Sequence, residues 1–142
     1  MSNPMDNALQ HVIDLHILIE NVFTGQNAKD SLNQLLASFD PNFKMITTQG
    51  NVIGLPEINA LFSQNIGNKP ALKIKILNTR ALFEADNHCW IQYQEHQQSH
   101  ELDTLRISTA CIKVESGQCY WVYLHETLVN LASSSKILNA LK

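Results

Sequence analysis

Basic residues are scarce in this chain. Ten Lys and Arg stand against thirteen Asp and Glu, a formal net charge of −3. Lys29, Lys44, Lys69, Lys73, Lys75 and Arg80 are scattered rather than gathered on one face. Nucleic-acid binding draws its affinity from counterions released by a concentrated basic surface, so this balance points away from it. Cysteine is sparse too: Cys89, Cys111 and Cys119 are odd in number and form no CxxC, which reads as free thiols in a reducing cytoplasm. No run is long and apolar enough to span a membrane. The opening MSNPMDNALQ lacks the basic start and apolar core of a signal peptide. There is no GxGxxG and no phosphate loop, and His88, His96 and His100 have no spacing that demands a metal. The expectation is a cytoplasmic protein without cofactor, metal, nucleic acid or membrane.

What is present is enough for a real core. The chain has 142 residues, 44% of them hydrophobic, which suits one globular domain spanning 1–142 and excludes a disordered chain. The first segment reads as a long helix. Asn3 can cap it, Pro4 sits where a first-turn proline is tolerated, and Leu9, Val12, Ile13, His16, Ile19 and Phe23 recur at three- and four-residue steps. Thr24-Gly25 ends it. A second helix, capped by Asp30 or Ser31, buries Leu32, Leu35, Leu36 and Phe39 and stops at Asp40-Pro41-Asn42. Phe43 to Ile53 reads as two short strands around Gln49-Gly50-Asn51. Pro56 opens a third helix that buries Ile58, Leu61 and Phe62.

From Leu72 the period changes to two, with a bulge expected near Asn78. Strands follow at 80–84 and 88–95, separated by a turn at Ala85-Asp86-Asn87. The polar stretch from His96 to Glu101 reads as an exposed loop. Two β-rich runs, Leu105 to Val114 and Cys119 to Leu128, form a hairpin around Glu115-Ser116-Gly117-Gln118. Ile137, Leu138 and Leu141 suggest a short terminal helix. Helices first and an antiparallel meander after them make an α+β layout.

Three motifs carry a family likeness: Phe39-Asp40-Pro41-Asn42-Phe43 before a short hairpin with Gly50, Gly54-Leu55-Pro56-Glu57-Ile58 opening the next helix, and Trp121-Val122-Tyr123-Leu124-His125-Glu126-Thr127 closing the last strand. Their order resembles the nuclear-transport-factor-2-like superfamily, and its SnoaL-like branch in particular, over Leu9 to Leu128. The resemblance implies a strongly curved antiparallel sheet wrapped around the N-terminal helices, a cystatin-like cone, with a pocket at its open end. It also implies a choice of functions, since members include ketosteroid isomerases, dehydratases, polyketide cyclases and purely associative domains, many of them homodimers joined through the outer sheet face.

Strict alternation in the last hairpin puts Thr109, Cys111, Val122, Leu124, Glu126 and Leu128 on one face, toward the pocket. Arg106, Trp121, Tyr123 and His125 fall on the other, an aromatic face with polar handles suited to a homodimer interface. A one-residue bulge would desynchronise the two strands. Glu126, a carboxylate among aliphatic neighbours, becomes the candidate general acid or base. Trp90, Gln92 and Gln94 alternate on the neighbouring strand as a pocket wall, or else lie in the core and in solvent. His16 is a candidate ligand contact from the first helix, or a packed histidine. Two functions stay open. One is a dimer with a pocket for a small, largely apolar molecule, of isomerase, dehydratase or cyclase kind. The other is a non-catalytic association module.

Overall fold

The computed structural model describes residues 3–129, so the expected terminal helix lies outside the described residues. Helix α1 spans Pro4–Thr24. The Asn3 side chain accepts from the Asp6 N–H at 2.8 Å, and Gly25 closes the helix at φ 84°, a conformation that costs glycine least. Its inward stripe is Ala8, Val12, Leu15, His16, Val22 and Phe23. Helix α2, Ala28–Ala37, is capped by Asn27 in the left-handed region, three residues ahead of the expected Asp30. Strands β1 (Phe39–Ile46) and β2 (Val52–Gly54) form the short hairpin, and α3 (Leu55–Ser63) starts directly from it. There the Glu57 carboxylate accepts from the Gly54 N–H at 2.7 Å, holding the first turn.

The long strands are β3 (Lys73–Ala85), β4 (His88–Gln98), β5 (Asp103–Glu115) and β6 (Gln118–Val129). Two-residue turns with positive φ at Asp86-Asn87 and Ser116-Gly117 join β3 to β4 and β5 to β6. Strand β3 is interrupted where Asn78 takes φ 53°. The sheet order is β2-β1-β6-β5-β4-β3. It is mixed, not purely antiparallel, because β1 runs parallel to β6. The connection between those two strands is long enough to allow this, since α3 and four strands lie between them.

The sheet curls around α1, and the two share one core centred on Trp121, Tyr93, Phe43, Leu35 and Ile91. Among the described residues no helix is long and apolar enough to cross a membrane.

Two expectations about local structure fail for physical reasons. The polar run 96–101 is not a loop throughout: β4 continues to Gln98, and Gln97 is buried. Polar composition misleads here because Gln97 points into the cone, while His96 beside it turns outward to Asp103. In the last hairpin the turn register is as expected, with Val114 opposite Cys119. Yet Cys111 pairs with Tyr123 and Ile112 with Trp121, so Val122 is an extra residue, a β-bulge. Parity therefore changes within β6. Trp121 turns inward before the bulge, and Leu124 and Glu126 turn inward after it.

Candidate functional site

One interior cavity of about 210 Å³ opens between α1, α3 and the concave face of the sheet. Its apolar wall includes Phe39, Phe43, Met45, Phe62, Trp121 and Leu124. Its polar wall comes from one end of the sheet: Glu95 and Gln97 late in β4, Arg106 early in β5 and Glu126 late in β6, with His16 facing them from α1. Lys69 stands on the wall as well, its ammonium 5.0 Å from the centre of the Phe23 ring.

The polar groups form two linked pairs. His16 Nδ1 lies 2.7 Å from the Val12 carbonyl. A carbonyl only accepts, so Nδ1 carries the proton. The other ring nitrogen, Nε2, lies 3.1 Å from Glu95 Oε1 in a pair that is almost wholly buried. Gln97 Nε2 donates to the second Glu95 oxygen at 2.6 Å. Burial works against charge on His16, but the adjoining Glu95 carboxylate and the Val12 carbonyl outweigh it and hold the imidazole above its ordinary pKa. Burial likewise works against ionised Glu95, yet His16 and the Gln97 amide bring its pKa down to about 2. Both shifts favour an imidazolium beside a carboxylate.

The second pair behaves differently. Arg106 Nη1 donates to Glu126 Oε1 at 3.0 Å, and Ser108 Oγ donates to the other oxygen at 3.4 Å. Burial and the nearby Glu95 charge nevertheless raise the Glu126 pKa above the usual carboxylate range, against the opposing pull of Arg106 and His16. Two neighbouring carboxylates are thus pushed apart, one fixed as an anion and one poised to hold a proton. That separation is how a site assigns distinct acid and base roles. Among the described residues no three His, Cys, Asp or Glu side chains gather in a metal-binding set.

The sequence-derived site residues divide between the two faces. Glu126, Leu124 and His16 line the cavity. Trp90, Gln92, Gln94, Thr109 and Cys111 do not: they lie on the outer face. The inward parity of β4 belongs to Cys89, Ile91, Tyr93, Glu95 and Gln97, and the Val122 bulge reverses the expected parity of β5. Gln92 donates to Thr109 outside, and Asn78 donates to Gln94. Cys111 is buried beneath Trp90 and Tyr123, whose rings meet at 6.0 Å, and burial pushes its thiol up to about 11. Arg106 and Trp121, expected at an outer interface, instead line the cavity, again because of the bulge. Tyr123 and His125 do lie on the outer face, in register with Cys111 and Thr109. Glu95, Gln97 and Tyr93 were missed as cavity residues. The apolar parity Cys89, Ile91, Tyr93 runs straight onto Glu95, and a carboxylate at the end of an inward series is the signal that would have found it.

The fold has known counterparts. A solved structure from Pseudomonas aeruginosa, described as an NTF-2 like protein of unknown function, superposes with a TM-score of 0.84 at 26% identity, over 87% of this chain and 99% of that one. This is a nuclear-transport-factor-2-like, cone-shaped domain. An uncharacterised protein with a cystatin-like fold from Caulobacter vibrioides matches at a TM-score of 0.70 and 13% identity, covering 94% of this chain and 96% of that one. The association domain of C. elegans CaMKII matches at 0.66 and 12%, covering 89% and 99%. No family model matches the sequence, and no curated protein does.

Proposed function

We propose that the cone binds one small, largely apolar molecule, and that Glu126 is the group that exchanges a proton with it. The observation that carries this reading is the cavity itself: an aromatic chamber open at one end, whose wall holds two carboxylates with divergent pKa shifts. A cone serving only as a scaffold has no use for four buried polar side chains around a space. Size limits the ligand. A dry cavity of roughly 150 Å³ accepts a benzene ring, so 210 Å³ suits a single substituted ring or a short branched chain. A fused multi-ring ligand is too large. The isomerase, dehydratase and cyclase chemistries of the superfamily all need a proton moved at carbon or oxygen, and Glu126 has the burial for that role. The test is to denature freshly purified protein and examine the supernatant by mass spectrometry for a stoichiometric small molecule. The ligand should be absent from a Leu124→Trp variant, whose indole would occupy the chamber. Equal retention by that variant would sink the reading.

A second reading has its own support, and the two can hold together. Phe83, Trp90 and Tyr123 form an aromatic row across the outer face, with Phe83 stacked on Trp90 at 5.9 Å and 58% exposed. Such a patch suits self-association, here as a homodimer, through about 800 Å² per subunit. The likeness to a CaMKII association domain agrees with this at the level of fold. Sedimentation equilibrium at micromolar concentration tests it, and a monomer mass would overturn it.

A further inference from the structure

We propose that the ligand of this cavity is a small carboxylate, and that its carboxylate takes Arg106 away from Glu126 as it enters. This rests on the small-molecule reading above and names the ligand's polar end.

The starting point is a set of unmet hydrogen bonds. Trp121 Nε1 and Arg106 Nε are buried and have no partner among the described residues, and Tyr93 Oη has only the Ser108 hydroxyl beside it, which is turned to Glu126. All three residues line the cavity. Buried polar atoms in folded proteins are nearly always paired, so unmet donors around one space are informative. Their chemistry is uniform. An indole N–H and a guanidinium N–H only donate, and a phenol can donate. What the chamber lacks is an acceptor. An alkane or an ammonium compound would leave these donors unmet.

Charge narrows the acceptor further. Facing Glu126 are Arg106 and Ser108 from β5, Glu95 from β4 and His16 from α1, while neighbouring β1 brings apolar Met45 to the cavity. His16 and Glu95 cancel each other as a closed pair. Arg106 and Lys69 then remain as the cations on the wall, and Glu126 is the one anion set against them. Glu126 is also the group most ready to lose its charge, since burial and Glu95 both favour its protonated form. An incoming carboxylate that bonds to the Arg106 fork replaces one anion by another, so Arg106 stays paired. Glu126, left beside Glu95 and a second carboxylate, takes up a proton and becomes a donor to the ligand or to Ser108. The exchange is balanced: one anion enters and one proton is bound. The affinity must therefore rise as pH falls through the Glu126 pKa, until the ligand itself protonates.

Calorimetric titration with benzoate and with benzamide, which share shape but not charge, tests this. Benzoate should bind about tenfold or more tightly than benzamide, the scale of one charge-assisted hydrogen bond. The heat of benzoate binding should also vary with the ionisation enthalpy of the buffer, reporting uptake of a proton. Glu126→Gln should bind benzoate more tightly near neutral pH, because the competing anion is gone, and should take up no proton. Tyr93→Phe keeps every charge and removes one donor, so it should weaken benzoate several-fold with little change for toluene, which offers no acceptor. This variant serves if Glu126→Gln does not fold. Equal affinities, or tight benzoate binding without proton uptake, would overturn the inference and leave the pocket reading standing. If neither probe nor toluene binds at millimolar concentration, both fail.

Discussion

On the inner face of the sheet Glu95 and Glu126 are withdrawn from water, while on the outer face Phe83 is 58% exposed and Ile107 39%. The usual sorting of charge outward and apolar surface inward is locally reversed on both sides of the same strands. Each reversal has a cost. A buried charge needs a partner with good geometry, and an exposed aromatic row leaves apolar area in water that a partner could remove. The inner reversal is compensated within the chain by His16, Gln97, Arg106 and Ser108. The outer one has no such compensation among the described residues. On the function proposed above, the inner reversal suits something small and polar-ended, and the outer one something broad and flat.

Both faces depend on one irregularity. Val122 is the bulge that lets Trp121 and Glu126 point inward together although an odd number of positions separates them. The largest loss should come from the inward residue that precedes it: Trp121→Ala empties a fully buried site and should cost about 3–5 kcal/mol, read from thermal melts by circular dichroism. Deleting Val122 itself should keep Trp121, Leu124 and Glu126 inward, because an even number of positions then separates Trp121 from Glu126 and the pairs on either side close without the extra residue. A deletion variant without a cooperative transition would show that the sheet needs the bend of the bulge and not only its parity.

That dependence also explains what the sequence disclosed. Local signals were legible wherever one residue type fixes the backbone: Asn3, Pro4 and Gly25 bound α1, and the Gly117 turn sets the hairpin. The cone and the inward face of Glu126 followed from order and alternation. The bulge had no local mark, because Val122 fits a pleated strand as well as any neighbour. Without it Arg106 and Trp121 went to the wrong face, and Thr109 and Cys111 with them. On β4 the aromatic Trp90 looked like a pocket wall, but packing preferred Tyr93, whose neighbours Cys89 and Ile91 share its parity. Site residues such as Glu95 and Gln97 break the apolar pattern by necessity, so pattern alone put Gln97 in an exposed loop and gave Glu95 no face.

The next largest effect belongs to the inner face. His16→Ala leaves Glu95 buried and uncompensated, and should destabilise the fold by about 3–5 kcal/mol in urea melts. Pairing it with Glu95→Gln should recover much of that loss, since no charge then stays behind. The pair also shapes the pH profile. Glu95, lowered from 4.5 to about 2, contributes stability that is complete above about 4.5 and lost as pH falls toward 2. His16, raised from 6.5, contributes stability that is complete below 6.5 and lost as pH rises through its folded value. Together they predict their full contribution between about 4.5 and 6.5. A profile still rising with pH above that window would contradict the imidazolium assignment.

The outer face should respond in mass rather than in fold. Tyr123→Glu places a carboxylate in the aromatic row, where a two-fold contact would bury like charges against each other. Sedimentation should move from dimer to monomer, with the monomer's unfolding free energy changed by less than about 1 kcal/mol, as for most surface positions. A dimer that survives this substitution would relocate the contact away from Tyr123.

Glu126→Gln should have a small effect on stability, of the order of 1 kcal/mol, but the clearest sign. The folded pKa of Glu126 is raised above its ordinary 4.5. Its contribution is therefore present below about 4.5 and is lost as pH rises through the folded value, because the fold binds the proton more tightly than the open chain does. His16 and Glu95 titrate in both proteins, so subtracting the Glu126→Gln profile from that of the wild type removes most of their slope. The difference should be flat below 4.5 and then fall with increasing pH, with the wild type losing ground to the variant. Adding benzoate should shift that fall to higher pH if the ligand takes Arg106, since protonated Glu126 is then favoured further. A difference that rises with pH would mean that Arg106 dominates and that Glu126 is an ordinary ion-paired carboxylate. In that case the acid and base roles on the inner face would have to be assigned again, starting from His16.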